Sequence, residues 1–236
     1  MAINWIESKV IDQIKWTNDL VSIKFENKIP PYTAGQFTKI GLKIDGELVS
    51  RPYSLVSSPK EDFLEVIYVN VPDGKLTPKL HALKKDDVIY VMDKPSGFFI
   101  MDEVPDGDKL WLIATGTGLG VFISLLKTDS PWKRFKEIIL IHGVRTAGEL
   151  AYQDQIEQFK EQHPDQLKYI QTVTREFNQK YYDVIEAFYR LTGIPMLLNT
   201  SFNCQEPIVE TPQDAINTFK KCGLGVLVID DYIVRK

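Results

Sequence analysis

The stretch KLWLIATGTGLGVFISLLKTD, residues 109–129, constrains this chain more than any other. An apolar run long enough for one strand leads directly into glycines at 116, 118 and 120, and then into helix-forming residues. A strand that turns this tightly into a helix belongs to a parallel sheet, whose strands must be joined by crossovers. The alternation continues: KEIILIHGV (136–144) reads as a second buried strand, ELAYQDQIEQFKEQH (149–163) as an amphipathic helix and LKYIQTVTR (167–175) as a third strand. Continuous apolar strands alternating with helices predict a parallel sheet covered on both faces.

The first hundred residues have a different texture. LVSIKFE, FTKIGLKI, FLEVIYVNV and DVIYVM are short and rich in Val, Ile, Tyr and Phe. NKIPPYTAGQ, IDGE, SSPKED, PDGK and KPSG supply turn chemistry around them. Many short strands at close spacing predict an antiparallel barrel or sandwich. The change falls near MDEVPDGDK, residues 101–109. The expected division is therefore a β-domain over 1–101, an α/β domain over 102–177 and a further segment over 178–236. In that last segment QKYYDVIEAFYRLTG reads as a helix stopped by Gly193, and IPMLLNTS as a strand. A second helix has Thr211 as N-cap, Pro212 at its first position and Gly223 as C-cap, and LGVLVID is a closing strand.

The formal net charge is −4, with equal numbers of Lys/Arg and Asp/Glu over residues 1–100, so nothing suggests a nucleic-acid surface. Two cysteines, Cys204 and Cys222, make neither a disulfide framework nor by themselves a metal site. MAINWIESKV has no apolar signal region, and no run approaches a membrane span. A cytoplasmic protein that binds neither membrane nor metal is expected.

Several short motifs carry chemistry. RPYS, Arg51 to Ser54, sets a ring, a guanidinium and a hydroxyl side by side. This suits a flavin, although a strand opening with a surface arginine reads the same way. In VPDGKLTPKL (71–80), Gly74 permits close backbone approach, and Leu76-Thr77 can open a helix toward a pyrophosphate; a plain hairpin turn also fits PDGK. The GxGxG run at 116–120 can cradle a dinucleotide or be a tight turn without ligand. Arg145 and Arg175 end the second and third strands, where an NAD-selective site would carry an acid; arginine suits a 2′-phosphate, and hence NADP. His142 reads as a packed core residue, His81 and His163 as surface residues.

Taken in order and spacing, PYTAGQFTKIGLKIDGE, RPYSLVSSP, LEVIYVNVPDGKLTPKL, GFFIMDEVP, LIATGTGLG and QTVTRE resemble the bacterial ferredoxin–NADP(H) reductases over residues 4–176. The resemblance implies a six-stranded flavin-binding β-barrel followed by an NADP-binding α/β domain, with non-covalent FAD. It implies that Arg51, Pro52, Tyr53 and Ser54 hold the flavin, with Tyr53 and Ser54 at the reacting ring, and that Val69 and Lys75, Leu76 and Thr77 complete its site. Gly116, Thr117 and Gly118 would lie at the flavin–nicotinamide junction. Arg145, Thr174 and Arg175 would hold the NADP(H) 2′-phosphate. Electrons would pass between NADPH and a transiently bound ferredoxin or flavodoxin, with the protein a monomer.

The chain departs from that family after Phe177. The further arginine-bearing segment, the Cys-Gly-Asn-Pro-like strand end and the aromatic terminus are all absent. Residues 181–236, with NTSFN carrying Ser201 and Asn203, instead resemble the extreme C-terminus of O-carbamoyltransferases, without the upstream residues that would complete such a site. This atypical tail repeats the lost helix–strand–helix–strand order and is expected to substitute for it in the sheet. The alternatives are a flavin-binding module with impaired turnover, or a carbamoyltransferase-related protein.

Overall fold

Strand alternation in the first ninety residues places one set of side chains in a common interior. The computed structural model describes residues 4–175, residue 220 and the strands at 226–229 and 232–235. Two compact units divide the chain, Met1–Tyr182 and Asp183–Lys236.

In the first unit, β1 (Trp5–Lys15), β2 (Leu20–Glu26), β3 (Phe37–Ile44), β4 (Glu47–Ser54), β5 (Phe63–Val69) and β6 (Val88–Met92) form one six-stranded antiparallel sheet in the order β4-β3-β6-β1-β2-β5. Just past β4, the N–H of Val56 donates to the carbonyl of Glu65 in β5 at 2.8 Å, so the two ends of the sheet approach each other, as in a barrel. The interior holds Ile23, Phe25, Ile40, Leu64, Val66, Tyr68, Ile89 and Val91. Pro52 is accommodated because β4 ends the strand order, where a missing N–H leaves no ladder unpaired on the far side. A short helix, α1 (Thr77–His81), follows β5.

The α/β part holds β7 (Lys109–Thr115), α2 (Leu119–Leu126), α3 (Asp129–Arg134), β8 (Glu137–Val144), α4 (Gln153–Gln162) and β9 (Leu167–Val173). The three strands are parallel in the order β7-β8-β9. Leu110, Leu112, Ala114, Ile138 and Leu140 share a core with Ile123 and Leu126 of α2 and with Phe159 of α4. Val56 and Ile67 of the β-domain belong to this same core. Alternation along β5 explains it: Leu64, Val66 and Tyr68 point into the first core, while Glu65 and Ile67 face the second.

Among the described residues, the two faces of the three-stranded sheet are unequally buried. β7 alternates between buried and exposed, with Trp111 57% and Ile113 64% exposed, while Ile139 of β8, in register with Trp111, is buried. An unbroken apolar run reads the same whether or not a second layer is in place. Four elements were not foreseen, among them β4, which ends at RPYS where a strand was expected to open. β1 is masked by its polar positions, α3 by its brevity and its proline, and the strand at 232–235 by the two aspartates before it. In the second unit, β10 (Val226–Ile229) falls within the expected closing strand but pairs antiparallel with β11 (Tyr232–Arg235). Two residues separate them, which permits a hairpin but no parallel crossover. The expected helix at 179–192, the strand at 194–200, Ser201, Asn203 and both cysteines lie outside the described residues.

Candidate functional site

Four segments bring the candidate residues to one region of the first unit. Arg51, Pro52, Tyr53 and Ser54 close β4. The β4 and β5 strands run antiparallel from the Val56–Glu65 bond, which sets Tyr53 and Ser54 beside the end of β5 that carries Val69. The rings of Tyr53 and Tyr68 confirm the proximity: they meet edge to face, with centroids 6.4 Å apart. Arg51, Ser54 and Val69 are exposed, whereas Tyr53 is half-buried against the barrel interior. Burial raises the Tyr53 pKa, with the neighbouring Arg51 charge acting against it.

Lys75, Leu76 and Thr77 lead into α1 directly after β5. Thr77 Oγ1 accepts from the N–H of Val71 at 3.0 Å, which ties the start of α1 to the strand end. Leu76 is buried in the barrel core. A Cβ on Gly74 would stand 2.9 Å from the Val71 carbonyl oxygen and 3.0 Å from Thr77 Oγ1, so this loop can take only glycine without shifting.

Gly116, Thr117 and Gly118 form a single 3₁₀ turn between β7 and α2. Gly116 has φ +52°, a left-handed conformation that favours glycine, and no atom lies within 4 Å of a Cβ built on it or on Gly118. Gly120 has another role. A Cβ there would come within 2.8 Å of Val56 Cγ2 and 2.9 Å of Ile67 Cγ2. It is the contact point of α2 with the β-domain, not a ligand position. The 116–118 turn is thus buttressed on β5, the strand that ends beside Tyr53. Beneath it, His142 is fully buried, as expected, and its Nε2 lies 3.1 Å from the Gly116 carbonyl oxygen. His81 and His163 are both partly buried, and His163 stacks on Trp132 with centroids 3.9 Å apart.

At the C-terminal ends of β8 and β9, Arg145, Thr174 and Arg175 adjoin. The Arg175 N–H donates to the Arg145 carbonyl at 2.8 Å, and the Thr174 N–H to that of Val144 at 3.0 Å. The sequence reading missed Glu149, whose carboxylate accepts from the Arg145 guanidinium at 2.6 Å. The four-residue spacing in RTAGE is the signal that could have found it.

Two features fit a flat group bearing phosphates. The Tyr68 hydroxyl, 2% exposed as a residue, has no hydrogen-bond partner, an arrangement that buried polar groups rarely keep. The 116–118 turn has open space beside its backbone, since no atom lies within 4 Å of a Cβ built on Gly116 or Gly118. Among the described residues no group of three or more His, Cys, Asp or Glu side chains could hold a metal, and no helix is long and apolar enough to cross a membrane.

Comparison with known proteins agrees with this geometry. The family model "Oxidoreductase FAD-binding domain" matches residues 8–99. "Carbamoyltransferase C-terminus" matches residues 142–236, reaching back through β8 and β9 beyond the segment singled out in the sequence. The chain is 43% identical over 173 residues to a flavodoxin/ferredoxin–NADP reductase of Shigella flexneri, covering 73% of this chain and 70% of that protein. It is 42% identical, with the same coverage, to that of Escherichia coli (strain K12). A Pseudomonas aeruginosa ferredoxin–NADP reductase is 38% identical, covering 73% of this chain and 70% of that protein. Among solved structures, a ferredoxin NADP+ reductase from Neisseria gonorrhoeae with bound FAD and NADP shares the fold. It has a TM-score of 0.70 at 23% identity, covering 96% of this chain and 94% of that one. With its barrel, its parallel sheet and this degree of identity, the chain belongs to the ferredoxin–NADP reductase family.

Proposed function

We propose that this protein is a flavoprotein oxidoreductase that moves electrons between NADPH and ferredoxin or flavodoxin through bound FAD. The observation that carries the reading is the convergence on β5. The strand ends beside Tyr53 and Ser54, and the turn carrying Gly116, Thr117 and Gly118 is packed against its outer face through Gly120. When bound, FAD supplies the redox chemistry, exchanging a hydride with NADPH and single electrons with the protein carrier.

The chain's own residues bind and orient. Tyr53 offers a ring held edge-on by Tyr68. Arg51 offers an exposed charge to a phosphate, and Ser54 an exposed hydroxyl beside the ring. Val69, Lys75, Leu76 and Thr77 complete the flavin site. Gly116, Thr117 and Gly118 hold the nucleotide backbone close to the sheet end, and Arg145, Thr174 and Arg175 receive the 2′-phosphate. On this reading, residues 1–101 bind FAD and residues 102–177 bind NADP(H). The protein works as a monomer in the cytoplasm and meets its carrier transiently.

A second reading, a flavin carrier with weak turnover, draws on one observation. The curated relatives quoted align with 73% of this chain, while a carbamoyltransferase model takes in its C-terminal part. A steady-state assay with NADPH as donor and ferredoxin or flavodoxin as acceptor tests the proposal. Turnover sustained with either carrier supports it; purified, FAD-loaded protein that reduces neither carrier leaves the second reading in its place.

A further inference from the structure

The Arg145 guanidinium does not stand alone at the end of β8. Its Nε donates to Glu149 Oε1 at 3.0 Å and its Nη2 to the same oxygen at 2.6 Å. Its own backbone N–H donates to Oε2 at 3.0 Å. The arginine side chain remains 55% exposed, while that of the glutamate is 15% exposed. Burial acts to raise the Glu149 pKa, but the guanidinium and the N–H groups of Arg145 and Thr146 outweigh it and hold the carboxyl below its ordinary range. The acid is therefore a fixed anion at neutral pH.

Its position matters because of what the ends of second strands do in dinucleotide sites. An acid there accepts the ribose 2′-hydroxyl of a nucleotide without a phosphate; an arginine there accepts the 2′-phosphate. Here both occupy one place, joined in a fork. The Thr174 and Arg175 backbones, bonded to Val144 and Arg145, adjoin that place. A phosphate approaching Arg145 would share its guanidinium with a second anion a few ångströms away, in a setting less screened than open water.

We propose that Glu149 sets the nucleotide selectivity of this site: it holds the Arg145 fork and opposes the 2′-phosphate, keeping NADH a usable donor. The proposal rests on the reading that Arg145 receives the 2′-phosphate. It differs in sign from a purely supporting role. If Glu149 only oriented Arg145, removing its charge would weaken the binding of 2′-phosphorylated nucleotides. If it competes with the phosphate, removing its charge strengthens that binding. Gln is the informative replacement, since its amide oxygen can still accept from the Arg145 N–H and leave the turn in place.

The experiment measures kcat/KM for NADPH and NADH, and the dissociation constants of adenosine 2′,5′-bisphosphate and 5′-AMP, on FAD-loaded wild type, E149Q, E149A and R145A. E149Q should raise the NADPH-to-NADH ratio about tenfold or more, the factor that corresponds to ~1.4 kcal/mol. It should tighten the bisphosphate without tightening AMP. E149A removes the same charge, and its ratio must move the same way, which covers the case of E149Q failing to fold. R145A should lower the ratio. If R145A leaves the ratio and the bisphosphate affinity unchanged, the 2′-phosphate reading itself fails. If R145A lowers both while charge removal at 149 leaves the ratio unchanged or lowers it, the selectivity role of Glu149 alone is overturned.

Discussion

Tyr53 shows how a single side chain acquires a role from its neighbours. It is half-buried, braced at its edge by Tyr68 and flanked by the exposed Arg51 and Ser54. An aromatic face of this kind contributes about 1 kcal/mol beyond the area it buries. Tyr53→Ala should loosen FAD by about that much, a roughly five- to tenfold rise in Kd measured by flavin fluorescence on dilution; an unchanged Kd would remove Tyr53 from the site. Gly120 is a residue whose meaning the sequence disguised. Its place in GxGxG suggested a nucleotide contact, but its missing Cβ makes room for Val56 and Ile67. Overpacking a filled core costs about 1–3 kcal/mol. Gly120→Ala should therefore lower the denaturation midpoint by that measure, and an unshifted midpoint would mean that the contact can relax.

Among the elements, those with clear alternation or unbroken apolar character were legible. β2, β3 and β7 fall on the residues expected of them. β1 was not, because Glu7, Lys9, Asp12 and Lys15 interrupt its apolar positions and only pairing with β2 and β6 reveals it. The RPYS, PDGKLT and GTG segments were legible as candidates, since turn and phosphate chemistry leave a local trace in residue type. Glu149, Tyr68 and the second meaning of Gly120 were not. Each depends on what another element places opposite, and a single chain read in order carries no record of that.

The β5 strand also carries an acid between two layers. Glu65 is 2% exposed, and its Oε1 accepts from the Tyr152 hydroxyl at 2.9 Å. That hydroxyl lies 2.6 Å from Ser22 Oγ, which in turn accepts from the indole N–H of Trp16 at 2.8 Å. Burial raises the Glu65 pKa, with Lys127 and Lys24 acting the other way. An acid whose folded pKa lies above its unfolded value holds more protons when folded, so stability falls as pH rises. The contribution is full below the ordinary value of 4.5 and is lost as pH climbs through the raised folded value. Glu65→Gln keeps an acceptor for Tyr152 and removes the titration. Its stability relative to wild type should therefore increase with pH above about 4.5 in denaturant melts; a difference independent of pH would mean that Glu65 does not titrate with folding.

At the scale of the whole molecule, two cores share one strand. The barrel interior takes Leu64, Val66 and Tyr68 from β5, and the α/β core takes Ile67 from the same strand. On the proposed reading, the RPYS segment and the 116–118 turn are thereby set against a common support, as passing electrons between two bound cofactors requires. On β7 itself, Trp111 and Ile113 stay exposed. The most direct test of the central claim is an anaerobic titration of the purified, FAD-loaded protein with NADPH, followed at the visible flavin bands. The account predicts that the bands bleach stoichiometrically as NADPH is added and return on addition of oxidised ferredoxin or flavodoxin. Protein that takes up no FAD, or flavin bands that NADPH leaves unchanged, would contradict it.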